Sequence, residues 1–128
     1  MKLTIDMPWA RDLTVNHMRF GARGGYRKKP HVQAWIMLLA WDFRGQHIDG
    51  LRRGCFRWLD TCRIPIGVAV DFRWPDKRRR DTHNYFKVIC DAVAAGLGID
   101  DKDIRISTRS VMVDRENPGF TIEVSDAL

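Results

Sequence analysis

The chain has 128 residues, 45% of them apolar, enough for the core of one domain. Its longest apolar run, residues 34–41, is too short to cross a bilayer, which counts against a membrane span. Twenty-two Lys and Arg against 16 Asp and Glu give a formal charge of +6, a balance that favours a polyanionic partner because neutralised phosphates release counterions.

The three cysteines, Cys55, Cys62 and Cys90, form no CxxC pair. They argue against a disulfide framework and a cysteine zinc site, and are expected as reduced thiols in a cytoplasmic protein. Residues 1–6 lack the apolar stretch of a signal peptide.

The alternation from Lys2 to Met7 predicts a first strand, ended by Pro8. Trp9 to Lys29 has no periodicity and carries Arg11, Arg19, Arg23, Arg27, Lys28 and Lys29, so it reads as a basic loop with room for a short strand. Asn16 lies inside it. Pro30 opens a helix to about Arg44. Val32, Trp35, Ile36, Leu39 and Phe43 form its apolar stripe, which Met37, Leu38 and Trp41 widen, so the helix is expected to be mostly buried with both tryptophans in the core. Gly50 to Gly54 reads as a break, followed by a short helix near Phe56 to Thr61.

Ile64 to Trp74 is the clearest strand: Ile64, Ile66, Val68, Val70, Phe72 and Trp74 share one face, and Asp71 and Arg73 share the other. A helix follows from Asp81, its N-cap, to about Ala95, with Gly96 and Gly98 as the stop. Ile104 to Val113 and Phe120 to Val124 read as strands of a hairpin turned at Asn117-Pro118-Gly119. The elements sum to one α/β (α+β) domain over residues 1–128, a mixed sheet of about four strands against two main helices.

The chemistry concentrates between Lys77 and Asp101. At about 100° per residue, His83, Asn84, Lys87 and Asp91 share one sector of the helix, and Tyr85, Phe86, Ile89, Val93 and Leu97 lie opposite. Asp100 and Asp101 return alongside, next to the capping Asp81. Carboxylates converging from a helix start and a strand start suit a divalent cation. The basic run Lys77-Arg78-Arg79-Arg80 suits a phosphate chain. Taken singly, each group has a plainer reading: Asp81 as a cap, Lys87 and Asp91 as a surface pair, Asp100-Asp101 as a polar turn.

The run Arg79-Arg80-Asp81-Thr82-His83-Asn84-Tyr85-Phe86-Lys87-Val88-Ile89-Cys90-Asp91-Ala92, then Gly98-Ile99-Asp100-Asp101, resembles the RusA family of Holliday-junction resolvases. The strand ending at Trp74-Pro75, and Pro8 followed by Asn16, fit the same pattern. The resemblance implies a homodimeric, Mg²⁺-dependent endodeoxyribonuclease of bacteria or phage that cuts branched DNA in recombination and repair, with no small-molecule cofactor. It assigns Asp81, Lys87 and Asp101 to catalysis. It places Asp81 and Asp101 on the metal, and Asp91 on the helix as an acidic residue with a supporting role. Lys77, Arg78, Arg79, Arg80, Asn84 and Asn16 are the expected DNA contacts. His83 departs from the pattern, standing where an aspartate is expected. An imidazole ligates transition metals better than Mg²⁺, so His83 is either a catalytic metal ligand, a sign of Mn²⁺ use, or the mark of a junction-binding protein that does not cut. Asp100 or Asp71 would then supply the missing carboxylate.

Overall fold

The computed structural model describes residues 2–22, 25–52 and 65–125. Four strands build the main sheet: β1 (Lys2–Pro8), β4 (Ile66–Trp74), β5 (Ile104–Val113) and β6 (Gly119–Ser125). A small hairpin, β2 (Arg19–Ala22) with β3 (Gly25–Lys28), forms a second sheet. Helix α1 (Pro30–Arg52) lies between the hairpin and the segment that precedes β4. Helix α2 (Phe86–Leu97) lies between β4 and β5, entered by a 3₁₀ turn at Thr82–Tyr85 and left by another at Asp101–Asp103.

The main sheet runs β1-β6-β4-β5, with β4 and β5 parallel and the other two pairings antiparallel. The expected α+β architecture holds, with a mixed four-stranded sheet and two main helices. The expected hairpin of the last two strands does not form, because β4 lies between β5 and β6. Residues 114–118 instead cross the end of β4: the Asp114 amide donates to the Trp74 carbonyl at 2.9 Å, and Arg73 Nε donates to the Asn117 carbonyl at 3.1 Å. Five residues readily span the roughly 10 Å between next-but-one strands.

One face of the sheet is the core. Leu3, Ile5 and Met7 stand opposite Val124, Ile122 and Phe120, which stand opposite Val68, Val70 and Phe72. Val32, Trp35, Ile36, Leu39 and Phe43 of α1, and Val88, Ile89, Ala92, Val93 and Leu97 of α2, join them in one buried cluster. The period-2 and period-3.6 patterns meet there as expected.

Two expectations about α1 change. It does not end near Arg44 or break at Gly50 but runs to Arg52, since an isolated glycine costs a helix only about 1 kcal/mol. Nor is it buried all round: Trp35 is buried, but Trp41 is 64% exposed, and Met37 and Leu38 are exposed too. The stripe at i, i+3, i+4 spacing already fills the space above the sheet, so the residues that widen it face outward.

Gly96 is not part of the stop. It lies inside α2, where a Cβ would stand 2.8 Å from the Ala40 carbonyl oxygen of α1. Gly98 alone ends the helix, with φ +70° and its amide donating to the Ala94 carbonyl at 2.9 Å, a conformation suited to glycine. The expected short helix at residues 56–61, and Cys55, Trp58 and Cys62, lie outside the described residues.

Candidate active site and nucleic-acid interface

The loop at residues 75–81 carries the chain from the end of β4 to the start of α2. Lys77, Arg78 and Arg79 are exposed on it. Arg80 is not presented in the same way. Its Nη1 donates to Asp76 Oδ1 at 2.7 Å and to the Arg78 carbonyl at 3.2 Å. Its guanidinium carbon lies 5.2 Å from the Trp9 ring centre and 5.6 Å from that of Trp74. The hydrogen bond from Arg80 draws the Asp76 carboxyl down to about 2, while burial pushes the nearby Tyr85 hydroxyl up.

Asp81 caps the 3₁₀ turn as the sequence suggests: its Oδ1 accepts from the His83 amide at 3.0 Å, and its carbonyl accepts from the Asn84 amide at 3.2 Å. The α-helix proper begins only at Phe86, with no side-chain cap at Tyr85. Asp81 is exposed and borders an open depression of about 520 Å³ lined by Arg79, Arg80, Asp81 and Thr82. The His83 ring leans on Phe86, with centres 4.9 Å apart. The Asn84 carbonyl accepts from the Val15 amide at 2.8 Å, which brings the loop carrying exposed Asn16 beside the turn.

Lys87, in the first turn of α2, joins the next group. Its Nζ lies 2.9 Å from Asp91 Oδ1 and 3.0 Å from Asp101 Oδ2. Hydrogen bonds to Asp91 and then Asp101 raise its pKa, and Lys87 in turn lowers that of Asp101. Asp91 is the least exposed carboxylate of the set, with 14% of its side chain open, and it also pairs with Lys28 of β3 at 3.3 Å. Lys28 thereby joins the cluster, though the sequence showed it only as one charge in a basic loop; nothing in its local pattern marks β3 as reaching α2. Asp100 Oδ1 caps the second 3₁₀ turn by accepting from the Lys102 amide at 3.1 Å. Asp71 stands apart from the site: Arg109 grips it at 3.0 and 2.6 Å, and Ser110 donates to it at 2.7 Å. It is therefore a partner for Arg109, not a spare carboxylate.

No group of three His, Cys, Asp or Glu side chains among the described residues is arranged to hold a metal ion. The donor chemistry nevertheless fits a hard divalent cation. Asp81 and Asp101 are exposed carboxylates, and Mg²⁺ is commonly held by one or two such groups together with phosphate oxygens of the substrate.

Fold and site together define a basic α+β domain in which an exposed arginine loop leads into a cluster of lysine and carboxylates. A family model described as Endodeoxyribonuclease RusA matches residues 59–125, more than half of the chain and the whole stretch from the arginine loop to β6. The chain belongs to the RusA endodeoxyribonuclease family. No curated protein matches it. No helix among the described residues is long and apolar enough to cross a membrane.

Proposed function

We propose that the protein is a divalent-cation-dependent endonuclease that resolves four-way DNA junctions, acting as a homodimer in which each subunit cuts one strand. One observation carries this reading: within the family-matched segment, Lys87 is held between Asp91 and Asp101, directly after the exposed Lys77, Arg78 and Arg79 and the outward carboxylate of Asp81. Asp81 and Asp101 would hold the cation, Mg²⁺ or Mn²⁺, with Asp100 or His83 completing the set. The cation supplies the charge that polarises a phosphoryl oxygen and activates water.

The chain's own residues do the rest. Lys77, Arg78 and Arg79 hold flanking phosphates, and Asn16 and Asn84 border the path of the strand. Lys87 presents an ammonium pinned by Asp91, a fixed positive charge for the oxyanion that develops at phosphorus. Asp91 positions Lys87 and is not itself on the substrate.

His83 favours a second reading, a junction-binding protein that does not cut. The test is a labelled four-way junction beside a matched duplex, with Mg²⁺, Mn²⁺ or EDTA. Paired nicks confined to the junction and dependent on metal are expected. Asp81→Asn and Asp101→Asn should each reduce cleavage by at least about 100-fold while binding persists. Full activity in both variants would refute the assignment. Tight binding without nicks in either metal would select the second reading.

A further inference from the structure

We infer that Arg80 is a positioning residue: it anchors the backbone that presents Asp81 and does not bind phosphate. Asp81 is extended, with φ −98° and ψ 118°, and its side chain is exposed, whereas its neighbour Arg80 is turned the other way. Arg80 points inward. Only 12% of its side chain is exposed, while Arg78 and Arg79 on the same loop are open to solvent.

The inward pocket is built for a guanidinium. Trp9 and Trp74 supply two ring faces set 87° apart, and Tyr85 packs against both rings at 5.5 and 5.3 Å. Asp76 supplies the counter-charge and the Arg78 carbonyl a further acceptor. The contacts reach four separate parts of the chain: the residue after β1, the end of β4, the loop itself and the 3₁₀ turn. A planar, always-charged fork can satisfy all of them at once, which a lysine ammonium cannot. Fixing Arg80 inward fixes the next residue outward, so the carboxylate of Asp81 is aimed by a side chain that never reaches the substrate.

This inference rests on the catalytic role proposed for Asp81, and its test separates the two. Junction binding in EDTA would be measured by anisotropy from about 50 to 200 mM salt, a range over which phosphate contacts show as a slope. Arg78→Ala should flatten that slope by about one contact, and Arg80→Ala should leave it at the parent value. Single-turnover cleavage at saturating Arg80→Ala protein should nevertheless fall about 100-fold, as expected for a misplaced reacting group. Arg80→Lys should not restore it. Amide exchange at His83 and Asn84, whose protons are held by Asp81, should quicken about tenfold in Arg80→Ala.

Should Arg80→Ala fail to fold, Asp76→Asn loosens the same guanidinium and should show the same loss of cleavage and the same faster exchange. A flattened slope with normal exchange, in Arg80→Ala or in the milder Arg80→Lys, would make Arg80 a phosphate contact and overturn the inference. If the parent does not cut, the role of Asp81 fails, and slope and exchange alone still decide what Arg80 does.

Discussion

Replacing Gly96 with alanine tests the packing of the two helices on each other. A Cβ there would lie 2.8 Å from the Ala40 carbonyl oxygen, 3.1 Å from Ala40 Cα and 3.1 Å from Phe43 Cβ. Two of these neighbours are backbone and the third is a fully buried phenylalanine, so none can swing aside and the helices must part. Overpacking of this kind costs about 1–3 kcal/mol, and a clash against backbone belongs near the top of that range. Alanine's better helix propensity returns about 1 kcal/mol. The net expectation is a loss of about 2 kcal/mol. With a urea m-value of about 2 kcal/mol/M for a chain of this size, the unfolding midpoint should fall by about 1 M with m unchanged. Tryptophan fluorescence follows the transition, since Trp35 and Trp74 are buried. Gly45→Ala is the matched control: Gly45 is exposed on α1 with nothing within 4 Å of the added carbon, so it should raise the midpoint by about 0.5 M. A Gly96→Ala protein as stable as the parent would refute the close approach of α1 and α2 at that point.

Three further outcomes are expected. Burial raises the Cys90 thiol to about 11, so in a Cys55→Ser, Cys62→Ser background iodoacetamide should leave native protein unmodified at pH 8 and label it rapidly in urea; equal rates would refute the burial. Asp76 has a folded pKa depressed to about 2, so its contribution to stability is fully present above its ordinary value near 3.8 and is lost as pH falls toward 2. The gap in urea midpoint between the parent and Asp76→Asn should accordingly close across that window, and a gap that persists at pH 2 would show that the ion pair is not its source. Arg109 grips Asp71 by two nitrogens and reaches Glu123 at 3.1 Å, tying β4, β5 and β6 together on the open face of the sheet. Arg109→Ala should cost about 1 kcal/mol, a figure reduced for its exposure, and Arg109→Lys should recover less than half, as measured by urea unfolding.

The fold was legible wherever one face of an element is buried. Alternation marked β1, β4 and β6, and the 3.6-residue period marked α2, because water and core select opposite residues at those spacings. Partnership was not legible. Nothing in the alternation of β5 and β6 says that a third strand lies between them, and a five-residue connection ending in Pro118, with Gly119 next, suits a hairpin as well as a crossing. The extent of burial on α1 was equally hidden: Met37, Leu38 and Trp41 are as apolar as the stripe they widen, and only the room above the sheet shows that they face outward.

The site divides in the same way. Asp81 as a cap and the pairing of Lys87 with Asp91 are local, set by spacings of two and four residues. The contact of Lys87 with Asp101 needed only the chain to return beside its own helix. The setting of Arg80 depends on Trp9 and that of Lys28 on a hairpin meeting a helix, each across more than sixty residues. Local pattern reports charge at those positions and not what the charge faces.

The place of β6 in the sheet also bears on how the protein is made. Among the described strands, β1 pairs only with β6, and β4 takes β6 as its antiparallel neighbour. In chain order β6 follows every other described strand. Until it is made, Leu3, Ile5 and Met7 have no sheet to join, and the inner edge of β4 stays open. The nascent chain is therefore two unfinished pieces waiting on one late segment, a high-contact-order arrangement that folds slowly and exposes strand edges meanwhile. A chain cut short before β6 is material for proteases and chaperones.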